Sequence, residues 1–186
     1  ARPWTPPNMT EPNNINESKS VAPTTGDSAD APRRSRMFGL FLRLLRGAAI
    51  AAWVLWIGGF AFYGAFVIDA AHHVLGEHRT VGFITKRVTV AEHKVLATAL
   101  GLSLVARGFG IGRRDKWFVR SWCVAAVALL LMAAVHHRLS QFMDPETLGL
   151  AEPARFYRRH RLYILIATVA WISGIVHARR LVMSAK

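Results

Sequence analysis

The sequence predicts an all-α integral membrane protein, a four-helix bundle preceded by a disordered polar tail, and three observations predict it. The run Ala48 to Ile68, AAIAAWVLWIGGFAFYGAFVI, holds 21 residues with no ionisable side chain apart from Tyr63. At about 1.5 Å of rise per residue it covers roughly 30 Å, a bilayer's hydrocarbon thickness, and it is apolar all the way round. Three shorter apolar runs follow it, each bounded by basic residues. Finally, 52% of the chain is hydrophobic although its formal net charge is +13, a pairing that soluble proteins seldom show. The Lys and Arg residues stand in clumps at the edges of the apolar runs, which suits contact with membrane lipids. Nucleic acid binding would need them gathered on one accessible face.

Residues 1–36 are rich in Pro, Asn, Ser, Thr and Asp and lack helical or strand periodicity, so they are expected to form the disordered tail, with residues 37–186 as the membrane domain. Arg33, Arg34, Arg36, Arg43 and Arg46, interleaved with Phe and Leu, make an amphipathic lead-in whose arginines can snorkel to lipid phosphates. The first span is 48–68. Asp69 to Lys94 is polar and reads as a loop containing a short helix or a hairpin-like turn. A second span over 95–111 is reached only by including Arg107, which must snorkel or face the bundle interior. Arg107 to Arg120 reads as a tight basic loop, its GFGIG glycines serving turns and not a phosphate cradle, because no strand precedes them. The third span is 121–136. After it come a long loop with Asp144-Pro145 and Glu152-Pro153 as turns or helix starts, and a fourth span over 162–177. Small residues mark expected helix contacts at Gly58 and Gly59, at Ala97 and Gly101, and at Ala170 and Gly174.

Counting Lys and Arg from position 33 onward, an N-terminus-inside topology puts 13 on the inner side and 9 on the outer, so both termini are expected in the cytoplasm. Seven of the eight histidines then fall near the outer side, with His177 alone inside. Imidazole is a common ligand for copper, zinc and haem iron, which makes His72, His73, His93, His137 and His160 the candidate metal ligands. The competing reading is that histidine tolerates membrane interfaces and that these residues meet headgroups or helix ends. His93 beside Glu92 is also a candidate for a quinone or proton-relay role. The single cysteine, Cys123, cannot form an internal disulfide.

The segments Leu55 to Tyr63 (LWIGGFAFY), Gly82 to Thr89 (GFITKRVT) and Phe156 to Tyr163 (FYRRHRLY) resemble the four-span membrane family related to transmembrane protein 205. The resemblance covers roughly residues 45–180 and implies a helical membrane domain with no assigned reaction. It departs at Asp69, where a proline-containing end to the first span is more usual. A weaker likeness to copper-resistance protein D membrane domains rests on the glycine pair and the histidines.

No Ser-His-Asp triad, P-loop or zinc-protease motif occurs. The expectation is therefore a non-enzymatic protein of the bacterial inner membrane without a cofactor, in contact with lipids and other membrane subunits. A redox or metal-handling protein using copper or haem, and a small accessory subunit of a larger complex, are the alternatives.

Overall fold

The computed structural model describes residues 31–75, 78–112, 114–143 and 152–184, and the chain is helical through nearly all of them. Helix α1 spans Ala31–Phe62 and continues through a π-helical turn, Tyr63–Val67, into α2, Ile68–Leu75. Helices α3 (His78–Gly108), α4 (Lys116–Ser140) and α5 (Pro153–Met183) follow. Residues Met37–Lys186 form one compact unit. Residues 1–30 of the expected tail and the Asp144-Pro145 turn lie outside the described residues, whereas Ala31 to Arg36 already belong to α1.

Four stretches are long and apolar enough to cross a membrane: Arg36–Leu75, Ile84–Gly108, Lys116–Ser140 and Pro153–Met183. Each exceeds the expected span, because helices do not stop at the first charge. The segment expected as a loop, Asp69 to Lys94, is helical over its described residues, in α2 and the start of α3. The 25 residues of Ile84–Gly108 reach about 38 Å, so the second span is longer than expected and includes Arg107, whose Nη1 is buried.

Helix ends follow local chemistry. At the end of α3, Ile111 N–H donates to Ala106 O (3.1 Å) and Gly110 N–H to Arg107 O (2.9 Å). This crossed pair requires a left-handed residue, which Gly110 supplies at φ 96°. Gly112 is also left-handed, at φ 66°. Both glycines therefore serve the turn, as expected. Asp115 caps α4 by accepting from Trp117 N–H (2.9 Å) and Phe118 N–H (3.4 Å). Pro153 stands in the first turn of α5, where its missing N–H costs nothing.

Side-chain bonds fix an up-down-up-down order. Trp53 and Tyr63 of α1 and its π turn reach Ser103 and Thr85 of α3, so these run antiparallel. Trp122 of α4 reaches Leu100 O of α3, and Ser173 of α5 reaches Ser121 O of α4. Trp171 of α5 donates to Ile57 O of α1. Three indole N–H groups thus each find an acceptor on another helix, which a donor buried away from water requires.

The core is a seam of 3.5-residue spacing. Helix α4 buries Phe118, Ser121, Ala125, Ala128 and Met132, while α5 buries Ala167, Ala170, Gly174, His177 and Leu181. Trp53 and Trp56 lie over Gly174, where a Cβ would stand 2.8 Å from a ring atom of each indole. Gly174 and the fully buried Ala170 therefore make the expected contact. Gly58, Gly59, Ala97 and Gly101 do not make one among the described residues. All four are exposed, and a Cβ at Gly58, Gly59 or Gly101 would have nothing within 4 Å. The small residues that α3 turns inward are Ala99, Ser103 and Ala106, all fully buried. The outer surface is correspondingly apolar, with Leu55, Phe66, Leu130 and Leu165 each at least 63% exposed. A soluble monomer rarely shows such a surface, and a lipid-facing one must.

Candidate functional site

Polar side chains gather at the two ends of the bundle. At one end, called here the His93 end, α3 presents Thr85, Thr89 and His93 at four-residue spacing and so on one helical face. Helix α4 brings His136 in its last turns, and α5 brings Tyr163. His93 Nε2 and the Tyr163 hydroxyl share a hydrogen bond of 3.1 Å. Thr89 is buried in the interior one turn before His93 on the same helix. The His93 and His136 rings stand edge to face with centroids 5.6 Å apart, and His136 lies 6.5 Å from Tyr163. Nearby, Tyr63 in the π turn donates to Thr85 Oγ1 (2.9 Å), and Thr85 donates to Val81 O (2.8 Å). Interruptions of this kind in a helix are frequent at functional sites.

Of the five candidate metal ligands, His93 alone belongs to this cluster, and its histidine neighbour is His136, which the sequence did not single out. His137 follows it in sequence, its ring exposed. His73 lies 3.8 Å from Asp69 one turn away on α2, both well exposed. His160 stacks on Phe156 with the rings nearly parallel, 5.9 Å apart. His72 sits on α2 beside His73. Among the described residues, no group of three or more His, Cys, Asp or Glu side chains could hold a metal ion. Consecutive histidines point about 100° apart on a helix, which is why both members of a pair do not reach one centre.

The other end, the Arg46 end, holds a network built mainly on main-chain carbonyls. His177 is fully buried, with Nδ1 3.1 Å from Ser121 Oγ and 3.2 Å from Phe118 O. A carbonyl only accepts, so Nδ1 carries the proton. The Nε2 lone pair is then left buried with no hydrogen-bond partner among the described residues, while the His177 ring packs against Trp53 (5.1 Å) and Phe118 (4.3 Å). Ser121 donates to Trp117 O (2.8 Å) and Ser173 to Ser121 O (2.7 Å). Arg46, expected at the lipid phosphates, instead donates to Leu181 O (3.0 Å) and Val182 O (2.6 Å), the last turn of α5. A cation there satisfies free carbonyls and the negative end of the helix dipole. Asp115 meets Arg180 at 3.6 Å.

The sequence left His177 aside because it stood apart from the other histidines. Its signal was the spacing from Ala170 and Gly174, seven and three residues back, which puts it on the buried stripe of α5. No protein-family model, curated protein or solved structure matches the chain.

Proposed function

We propose that the chain is a non-enzymatic, multi-pass protein of a bacterial inner membrane, with both termini in the cytoplasm, that serves as a helical subunit of a larger membrane assembly. The observation that carries this reading is the outward face of α1 and α3. Trp53 pairs with Ser103 and Tyr63 with Thr85, so Gly58 and Gly59 lie at the height of the α3 segment that contains Ala97. All three are exposed, and the two glycines have open space beside them. In lipid, helices associate through small residues that let backbones approach, so this face suits a helix from another chain. Most of the interior polar groups are meanwhile engaged in tying the four helices to one another. The resemblance to the family related to transmembrane protein 205 implies a helical membrane domain with no assigned reaction, which agrees with the membrane part of this reading.

Purification from native membranes in mild detergent tests it. The expected result is a species larger than the monomer containing further membrane proteins, and a lone monodisperse chain would count against it.

The His93, His136 and Tyr163 cluster favours a second reading, a redox or metal-handling role on the outer side with copper or haem. An absorption spectrum and metal analysis of protein expressed with haem and copper supplied separate the two. A Soret band or stoichiometric copper would favour this reading over the first.

A further inference from the structure

A cavity of about 150 Å³ opens between α3 and α4 at the Arg46 end, and its wall is formed by Leu104, Phe118, Val119, Trp122 and Cys123 together with Arg107. A dry apolar cavity of roughly this size holds a benzene ring in other proteins, so there is room for a ring or a short stretch of hydrocarbon chain. The polar partners on this wall are already engaged. Trp122 Nε1 donates to Leu100 O, and the Ser103 hydroxyl accepts from Trp53 and donates to Ala99 O. Arg107 differs from them, because its Nη1 is buried and has no hydrogen-bond partner among the described residues. A buried guanidinium donor left without an acceptor is costly, and near a membrane its counter-charge must come from somewhere.

The described residues around it do not offer one. From Leu104 to Arg120 the sequence holds five Lys and Arg against a single acid, Asp115. That carboxylate is committed to capping α4 and to Arg180. No acceptor is therefore left for Arg107 among the described residues, and beside it lies an opening lined with apolar side chains. An anionic phospholipid supplies both parts.

We infer that Arg107 and the α3/α4 cavity form a binding site for one anionic phospholipid, the phosphate on the guanidinium and the first methylenes of an acyl chain against Phe118 and Trp122. The site does not depend on which side of the membrane this end faces, nor on the subunit role proposed above, and it is testable on the isolated protein.

Cys123 is the single cysteine of the chain, lies on the cavity wall and is exposed, so the wild-type protein carries its own reporter. Its alkylation by N-ethylmaleimide is followed in detergent with added phosphatidylglycerol, phosphatidylcholine or inorganic phosphate. Phosphatidylglycerol is expected to slow labelling at least about threefold, while the other two leave the rate unchanged. Arg107→Gln should abolish the protection without altering the rate in lipid-free detergent. Leu104→Trp, which fills the cavity and keeps the charge, should remove the lipid dependence. Equal protection by phosphatidylcholine, protection by phosphate alone, protection that survives Arg107→Gln, or no protection of the wild type would each overturn the assignment.

Discussion

The two ends of the bundle use their polar side chains differently. At the Arg46 end, Ser121, Ser173, His177 and Arg46 reach main-chain carbonyls of neighbouring turns or helices. At the His93 end, the bonds between helices run from side chain to side chain, His93 to Tyr163 and Tyr63 to Thr85. In a bond to a backbone carbonyl the acceptor is held in place by the helix that carries it. A bond between two side chains can be exchanged for a bond to a ligand by a change of rotamer. The first arrangement ties the helices to one another through their main chains, and the second leaves bonds that a change of side-chain rotamer can exchange.

Substitutions can break this contrast, beginning with the largest effect. Gly174→Val places a side chain against two buried indole rings that have no room to move. Overpacking of this kind costs about 1–3 kcal/mol, occasionally more, and should give the largest fall in thermal midpoint in detergent. Ser173→Ala removes the donor to Ser121 O and should cost roughly 1 kcal/mol, within the range of hydrogen bonds between membrane helices. Tyr163→Phe keeps the ring and deletes one hydroxyl at the half-buried end, so a loss of about 0.6 kcal/mol or less is expected. A double-mutant cycle of Tyr163→Phe with His93→Ala should return a coupling of similar size. His137→Ala, at an exposed ring, should leave the midpoint unchanged within about 0.5 kcal/mol. A greater loss from Tyr163→Phe than from Ser173→Ala would reverse the comparison.

Much of the architecture was legible because its causes are local. The length of Ala48 to Ile68, the turn glycines before Asp115 and the Glu152-Pro153 helix start each depend on residues adjacent in sequence. The faces were harder to read. In a soluble helix polarity marks the outside, but in lipid both faces are apolar, so the pattern around Ala97 and Gly101 did not reveal that Ala99 and Ser103 are the pair turned inward. The span limits were drawn at charges, whereas the helices continue through them. The site was the least legible part. His93 is joined to Tyr163 across 70 residues and Arg46 to α5 across 135, and no local motif encodes such distant pairings.

Under the orientation proposed above, the Arg46 end would face the cytoplasm and the His93 end the outside. Single cysteines at Arg114 and at Gln141, both exposed in the turns after α3 and α4, test this in a Cys123→Ser background with a membrane-impermeant maleimide on intact cells. Gln141→Cys should label at once and Arg114→Cys only after the membrane is permeabilised. Labelling of Arg114→Cys in intact cells, with or without Gln141→Cys, would contradict the account.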